Sequence, residues 1–380
     1  MSITEPVSGS NQVRGVSPRG WFYRRGRFLA LHGVLVSFSV TALLPFLWMV
    51  VTSMKPLDAV EDISPFPTDA RKVSYVEARI GEELGEDFRD YSLERKLTVY
   101  GDILGEDAIE RAFEGMPAQD EGSQVRLDHL AEADQRAVID KLAMECFSLT
   151  GYYAYHAKAN YNDVWNSKDI SFKRYYFNSL FVAGWVTLLT CFTSSLAAYA
   201  FARLQWPGRD MVFKLYLATM MIPGVVTMIP NYTLMVKLHL LDSYTGLVVP
   251  AAFSAFGTFL LRQFMLTVSP SLDEAAIIDG ASPWQVYWDV ILPLARPGLI
   301  VLSIFTFMGN YWSFFWPLVL IKSEHLRTLP VGMLYFDTAY GNQTNLIMAA
   351  SVMNIAPLVI LFVLMQKYLV RGIQLGAVKG

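Results

Sequence analysis

The stretch EAAIIDGASPWQVYWDVILPLARPG, residues 274–298, separates two strongly apolar segments of the chain. It begins with a carboxylate, is rich in small residues and contains three prolines. A polar stretch between two long apolar segments predicts a loop between membrane helices. The flanking segments are therefore expected to span a membrane, and this expectation sets the fold class.

Two short helices are predicted around this loop. Ser271 and Glu274 have the spacing of a capping box, which would begin the first helix. Gly280 follows that helix where a left-handed residue permits a sharp turn. Ser282 would then cap a second helix, with Pro283 at its first position.

The second helix is expected to carry its large apolar side chains on one face: Trp284, Tyr287, Trp288 and Ile291. Pro293 and Pro297 should end it before the next apolar segment, because proline cannot continue a helix without losing a hydrogen bond. The loop would thus present two short helices, at an angle, to one side of the membrane.

The first helix has features of a docking surface. Its small residues, Ala275, Ala276 and Gly280, allow a partner to approach closely, and the carboxylates of Glu274 and Asp279 can pair with basic groups on that partner. The alternative is an ordinary amphipathic loop between two helices, which a helix-glycine-helix pattern alone would favour.

The spacing of Glu-Ala-Ala, Asp-Gly-Ala and the prolines resembles the EAA loop in permease subunits of ATP-binding-cassette importers. That resemblance implies a cytoplasmic loop through which a separate ATPase moves the membrane subunit. The residues that would carry this contact are Glu274, Ala275, Ala276, Asp279, Gly280, Ala281 and Pro293.

Further motifs resemble the carbohydrate branch of these importers, and within it the maltose-type subunit that ends in a characteristic tail. They include residues 176–180, 197–204, 259–264 and 328–332. The chain closes with Gly376, Ala377, Val378, Lys379 and Gly380, and the resemblance implies that this tail reaches the interface between two ATPase chains.

The composition agrees with a membrane protein. Of the 380 residues 53% are hydrophobic and 17% charged, and the mean hydropathy is +0.32; soluble domains carry about 25% charged residues. We predict an all-α integral membrane protein with six transmembrane helices in the fold of importer permeases, because each apolar stretch is long enough to cross a bilayer. The stretches are 28–52, 176–202, 211–236, 245–266, 298–321 and 346–370.

Lysine and arginine predict the orientation of the spans. With the N-terminus inside, the cytoplasmic segments carry thirteen Lys and Arg residues, and the outer segments without the long polar block carry seven. The protein is therefore expected in the inner membrane, with both termini in the cytoplasm. The predicted order is a cytoplasmic segment 1–27, span 28–52, an outer segment 53–175, a permease core 176–371 that contains the loop 267–297, and a cytoplasmic tail 372–380.

An acidic insert of about residues 71–158 lies between spans 1 and 2, where the family usually has a short loop. It carries 19 Asp and Glu against 11 Lys and Arg. Leu127, Leu130, Ala131, Val138 and Leu142 recur at helical spacing, and Ile109, Ala112 and Phe113 indicate a shorter helix. A mostly helical outer domain is predicted, and a structural role and a binding role both remain open.

Polar and aromatic residues within or near the spans are candidates for the translocation path: Asn231, Asn310, Tyr311, Trp312 and Asn354. The near absence of charged residues there suits a neutral, polyhydroxylated solute, because an ion pump would need buried carboxylates or histidines. Asparagines that join helices and aromatics at the membrane interface are the alternative explanation for each of them.

The chain lacks a G-x-x-x-x-G-K-[ST] phosphate loop, and its two cysteines and five histidines show no metal-ligand spacing. It is therefore expected to be a non-catalytic subunit without a cofactor, with ATP and Mg²⁺ on a partner ATPase. The resemblance implies a second homologous permease, two ATPase chains, an extracytoplasmic solute-binding protein and membrane lipid as partners, and no nucleic acid. Import of glycerol phosphate, a polyol or another small solute is the alternative function, and a membrane sensor with an acidic outer domain is a third.

Overall fold

The computed structural model of the protein describes residues 18–114 and 130–377, and all regular structure in those ranges is helical. The α-helices are α1 Pro18–Ser53, α2 Asp69–Leu84, α3 Leu93–Leu104, α4 Glu106–Phe113, α5 Glu132–Cys146, α6 Leu149–Trp165, α7 Phe172–Ala202, α8 Arg209–Ala218, α9 Gly224–Lys237, α10 Tyr244–Ala251, α11 Ala255–Leu266, α12 Pro270–Ile278, α13 Pro283–Gln285, α14 Leu292–Leu294, α15 Arg296–Tyr311, α16 Phe315–Leu320, α17 Leu329–Tyr340 and α18 Thr344–Ala377. A π-helical turn, Val286–Ile291, joins α13 to α14.

Three helices in the described ranges are long and apolar enough to cross a membrane unbroken: Leu31–Ser53, Phe172–Ala202 and Thr344–Lys367. Three bent pairs pass the same test together: Arg209–Met221 with Gly224–Lys237, Tyr244–Ala251 with Ala255–Leu266, and Pro283–Leu294 with Arg296–Tyr311. The pairs bend by 98°, 42° and 75°. The predicted number of six spans is reached when each bent pair counts as one.

The fifth predicted span, 298–321, is not one helix. Helix α15 ends at Tyr311, and the separate helix α16 begins at Phe315. Pro317 explains the break, since it has no N–H for the carbonyl of Ser313 and its ring would clash with that carbonyl in a continuous helix.

Helix α7 is the central element of the described core, where it packs against α10, α11, α15 and α17. Hydroxyl groups on α7 meet the break between α10 and α11. Thr190 donates to the carbonyl of Ala251 at 3.1 Å, Thr193 to that of Ala252 at 2.6 Å, and Ser194 to that of Ser254 at 3.4 Å. In this hydroxyl ladder (Thr190, Thr193, Ser194), the first two members satisfy the carbonyls of Ala251 and Ala252 at the break, as membrane depth requires. The Ser254 carbonyl also accepts from the N–H of Thr258 at 3.0 Å, as the first bond of α11.

The insert has a hydrophobic core of its own, built from α2 to α5. Phe88, Tyr100, Val138 and Leu142 are fully buried in it. The predicted short helix at Ile109–Phe113 lies within α4. The helix predicted from Leu127 to Leu142 corresponds to α5, which begins later than predicted. Leu130 and Ala131 precede its first residue, Glu132, and Leu127 lies outside the described residues.

Helix α6 runs through the predicted end of the insert at residue 158. Its second half belongs to the core, where the buried Asn160 donates to the carbonyls of Ser53 and Lys55, both at 2.8 Å. Asn345, next to the first residue of α18, donates to the carbonyl oxygen of the Asn160 side chain at 2.9 Å. One amide thus joins the chain entering the insert, the chain leaving it and the last span helix.

Candidate coupling loop and translocation cavity

The first helix of the loop 267–297, hereafter the docking loop, ends in the predicted tight turn. Gly280 has φ +85°, its N–H donates to the carbonyl of Ile277 at 3.0 Å, and the N–H of Ala281 donates to that of Ala276 at 2.9 Å. These two bonds form a Schellman motif, which needs a left-handed residue after the helix. Nothing lies within 4 Å of a Cβ built on Gly280, so backbone conformation and not space selects glycine there.

The predicted capping box at Ser271 is wrong. Helix α12 begins at Pro270, and Ser269 is the N-cap, without a side-chain capping bond. Proline explains the shift, because its fixed φ and missing N–H suit the first helical position and place the cap one residue earlier.

The second helix begins as predicted, with Ser282 as the cap and Pro283 at the first position. Gln285 completes a capping box, since its side chain accepts from the N–H of Ser282 at 2.8 Å. The single apolar face is wrong: Tyr287 is buried, whereas the side chain of Trp288 is exposed. The π-helical turn accounts for this, because its i to i+5 bonding widens the helix and changes the direction of each side chain after it.

A buried ion pair fastens the docking loop to α7. Arg203, the C-cap residue of α7, lies 3.3 Å from the carboxylate of Asp273 on α12, and both side chains are largely buried. The Arg203 guanidinium also donates to the carbonyls of Met265 at 2.7 Å and Val268 at 2.8 Å. Burial raises the pKa of Asp273, and the neighbouring Arg203 opposes that rise. Removing one partner of such a pair leaves a buried charge uncompensated, at a cost of about 3–5 kcal/mol.

Two tyrosines provide a second attachment. The hydroxyl of Tyr199 on α7 donates to the carbonyl of Pro283 at 2.9 Å. Tyr287 bonds through its hydroxyl to Ser195 at 2.8 Å, and its ring centre lies 5.2 Å from that of Tyr199. Burial of a side chain as large as Tyr287 or Ile291 contributes roughly 1.5–3 kcal/mol. Movement of the docking loop therefore requires movement of the C-terminal end of α7.

The opposite face of the docking loop is exposed and mixed in character. Ile277 and Ile278 are 61% and 85% exposed, beside the exposed carboxylates of Glu274 and Asp279. Neither carboxylate pairs with a basic side chain elsewhere in residues 18–114 or 130–377. The exposed face of the docking loop is therefore both apolar and acidic.

The alanines of the motif are divided between the two faces. Ala275 is exposed, whereas Ala276 and Ala281 are half-buried against the cluster that contains Tyr287. Only the exposed alanine can allow a partner to approach closely. Pro293 is exposed within α14, ahead of the 75° bend that precedes α15.

The tail lies partly outside the described residues. Helix α18 continues beyond the predicted end of the last span and includes Gly376 and Ala377. Val378, Lys379 and Gly380 fall outside the described residues.

A cavity of about 460 Å³, hereafter the path cavity, brings together two of the predicted path residues. Asn231 on α9 and Asn310 on α15 line it with Ser313 and Trp316. Val182 of α7 lines it as well. Among the described residues that line it, none is charged. The cavity can therefore exchange hydrogen bonds with a solute but cannot pair with a charge.

The other predicted path residues lie elsewhere. Tyr311 is fully buried, and its hydroxyl donates to the backbone carbonyl of Asn354 at 3.0 Å. Asn354 is itself only 7% exposed. Trp312 is exposed but does not line the path cavity. The Tyr311 hydroxyl thus joins α15 to the backbone of α18, a contact that neither the path nor the membrane-interface explanation predicted for this tyrosine.

Sequence reasoning missed the residues that fasten the docking loop: Ser195, Tyr199, Arg203 and Asp273. The position of Arg203 predicts a different environment. Arg203 directly follows an apolar span, where a positive charge normally lies in the headgroups and needs no partner. Nothing in the sequence indicated that this arginine turns inward to Asp273.

Comparison with known proteins bears on this geometry. Residues 191–375 match the family described as binding-protein-dependent transport system inner membrane components. The arabinooligosaccharides transport system permease protein AraQ of Bacillus subtilis (strain 168) is 36% identical over 221 residues, which cover 58% of this chain and 78% of AraQ. The chain belongs to this family.

Other relatives agree. The probable ABC transporter permease protein YurM of Bacillus subtilis (strain 168) is 34% identical, over 58% of this chain and 73% of YurM. The sn-glycerol-3-phosphate transport system permease protein UgpE of Yersinia enterocolitica serotype O:8 / biotype 1B is also 34% identical, over 57% of this chain and 80% of UgpE. A chain of a bacterial ABC transporter involved in the import of the acidic polysaccharide alginate matches with a TM-score of 0.50 and 28% identity, over 55% of this chain and 78% of that chain.

This binding-protein-dependent permease is therefore a multi-pass component of the inner membrane and serves transport, not catalysis. The resemblance predicted from the EAA loop is confirmed, as is the all-α membrane fold. The insert lies outside the residues that match the family.

Proposed function

We propose that this permease forms half of the translocation path of an importer for neutral sugars or oligosaccharides. A homologous permease supplies the other half, two ATPase chains bind ATP and Mg²⁺, and an extracytoplasmic solute-binding protein delivers the cargo. Both termini and the docking loop lie in the cytoplasm. The tail, Gly376 to Gly380, reaches the interface between the ATPase chains.

The observation that carries this proposal is that α7 lines the path cavity with its first half and holds the docking loop at its C-terminal end. Val182 contributes to the cavity, and Arg203 directly follows the last residue of the same helix. The two residues are about 30 Å apart along a helix that rises 1.5 Å per residue. A rigid helix of this length can carry a displacement of the docking loop to the solute.

The uncharged lining of the path cavity supports a neutral saccharide as the cargo. The relative named for arabinooligosaccharides is consistent with such a cargo. The relative named for sn-glycerol-3-phosphate keeps a second candidate open. A phosphate in this cavity would lack a basic partner on this half of the path, so a cation from the other permease would be required.

Uptake in cells tests the cargo. A strain without this gene is complemented with the intact chain and given labelled neutral oligosaccharides or labelled glycerol 3-phosphate. We expect restored uptake of an oligosaccharide. Restoration of glycerol 3-phosphate uptake alone would overturn the assignment of the cargo.

Gly280 tests the coupling. Gly280→Val places a β-branched residue in the left-handed region at a cost of about 1–2 kcal/mol and should misplace both docking helices. Gly280→Asn is the matched control, because asparagine tolerates this conformation. We expect the valine variant to lose most uptake at a normal membrane level and the asparagine variant to retain more. Equal uptake in the two variants would argue against a docking role.

A further inference from the structure

A second cavity, of about 470 Å³, lies in the insert between α2 and α6. Helix α2 contributes Tyr75, Arg79 and Glu82 to its wall, and α6 contributes Tyr155, Lys158 and Asn162. We call this cavity the insert cleft. Its volume falls in the range of about 300–1,000 Å³ typical of small-molecule sites.

Small residues on α6 keep the insert cleft open. Gly151, Ala154 and Ala159 line it, and Gly151 lies against the hydroxyl group of Tyr75. A Cβ on Gly151 would come within 2.7 Å of the Tyr75 hydroxyl oxygen. Glycine at this position therefore lets Tyr75 cross over α6 and form one wall.

The aromatic walls are held in place by their neighbours. The ring centres of Tyr75 and Tyr155 lie 5.6 Å apart in an edge-to-face arrangement. The ring of Tyr75 also meets Tyr152 edge to face, with centres 5.5 Å apart. Tyr155 is only half-buried, so part of its ring remains available to a ligand.

The charged groups of the insert cleft largely compensate one another. The hydroxyl of Tyr155 donates to Glu82 at 3.0 Å, and Arg79 pairs with Glu82 at 3.3 Å and with Glu83 at 3.2 Å. The Arg79 guanidinium lies 6.0 Å from the centre of the Tyr155 ring. The cleft thus offers aligned donors and acceptors without a large excess of either charge.

Aromatic rings beside paired polar groups fit a polyhydroxylated ligand. A saccharide has an apolar C–H face that can pack on a tyrosine ring, and its hydroxyls both donate and accept hydrogen bonds. Arg79 is already paired with Glu82 and Glu83. Among the described residues of the lining, Lys158 is therefore the one cation left for an anion, and Glu82 would repel that anion. A purely apolar ligand would leave the polar groups of Arg79 and Asn162 without partners.

The position of the cleft relates it to the transport core. Asn162, in the cleft, lies two residues after Asn160, the buried amide that joins the insert to the last span helix. A ligand in the cleft would therefore contact the same helix that is anchored in the core. We infer that the insert cleft binds a neutral oligosaccharide of the kind that the permease imports, an inference that rests on the proposed function.

Binding to the full-length chain in lipid nanodiscs, without ATPase or binding protein, tests this inference. The probes are maltopentaose and arabinopentaose, followed by saturation-transfer NMR and titration calorimetry. Tyr155→Ala should weaken binding roughly tenfold, because it removes a stacking surface and a hydrogen-bond donor. Tyr155→Phe should retain the stacking and lose less.

Tyr91→Ala is the matched control. Tyr91 also lies in the insert, its hydroxyl also donates to a glutamate, Glu86, and the guanidinium of Arg95 lies 4.0 Å from its ring centre. It does not line the insert cleft. We expect this variant to bind like the wild type, which would exclude a general effect of removing a tyrosine from the insert.

Binding weakened roughly tenfold in Tyr155→Ala, with normal binding in Tyr91→Ala, supports the inference. It would be overturned if neither pentasaccharide bound, or if both variants bound like the wild type. The proposed function is judged separately by uptake in cells. Oligosaccharide uptake without cleft binding would refute only the cleft, and cleft binding without any oligosaccharide uptake would refute only the assignment of the cargo.

Discussion

Asp242 joins two loops at one end of the spans. It precedes α10, has φ +54°, and its carboxylate accepts from the N–H groups of Lys322 and Ser323 at 2.9 and 2.8 Å and from the Ser323 hydroxyl. The hydrogen bonds from Ser323, its hydroxyl first, and from the Lys322 N–H hold the pKa of Asp242 below its ordinary value. The charged carboxylate is therefore worth more to the folded protein than to the unfolded chain.

The stability that Asp242 contributes depends on pH. Because the folded pKa is the lower one, the contribution is complete above the unfolded value of about 3.9 and is lost as the pH falls through the folded value. Asp242→Asn, which tolerates the positive φ, should lower the Tm by a few degrees at pH 5, and the difference from the wild type should be smaller at pH 3. Thermal unfolding in detergent at both pH values measures this. The same Tm difference at pH 3 as at pH 5 would refute the role of the charge.

At the scale of the element, the hydroxyl ladder is what allows α10 and α11 to form a broken span. Thr193→Val removes the donor to the carbonyl of Ala252 while nearly preserving the shape of the side chain. The carbonyl belongs to a buried residue, so the loss should destabilise the protein by about 1–2 kcal/mol. Thr187→Val is the matched control, because the hydroxyl of Thr187 bonds within α7 to Ala183 at 2.7 Å. Thermal unfolding measures the stability of both variants, and Thr193→Val is expected to be the less stable one. Equal destabilisation would contradict the role given to the hydroxyl ladder.

The sequence predicted those parts of the docking loop that depend on local backbone chemistry. The left-handed Gly280 and the cap at Ser282 needed only residue preferences, so they could be recognised without tertiary contacts. The orientation of Trp288 depends on a π-helical turn, which no local preference announces. The buried position of Tyr311 depends on where α15 ends. Tyr311 is the last residue of α15 and is buried, whereas the next residue, Trp312, is exposed.

At the scale of the whole molecule, the insert is expected to be removable. Replacing residues 69–148 with a flexible linker deletes its hydrophobic core and leaves α6, which is anchored through Asn160. We expect the shortened chain to insert and to purify as a monodisperse protein. Size-exclusion chromatography in detergent measures this, and failure to recover folded protein would show that the core depends on the insert.

A single substitution provides the contrast. Asn160→Leu should damage the protein more than the large deletion, because it removes three buried hydrogen bonds, two to the carbonyls of Ser53 and Lys55 and one from the amide of Asn345. The same chromatography and a thermal scan compare the two variants. A stable Asn160→Leu protein beside an unstable deletion would reverse this interpretation of the junction.

The junction at Asn160 also bears on how a domain comes to occupy this position. The entropy lost when the ends of a loop are held together grows slowly with loop length, by only about 0.6 kcal/mol for each doubling. Here the two ends of the insert meet at one buried side chain, Asn160, which donates hydrogen bonds to the carbonyls of Ser53 and Lys55 in the segment that leads into the insert. A long or a short inserted domain between these two ends should therefore leave the stability of the permease nearly the same. A fluorescent protein inserted there should leave the permease folded.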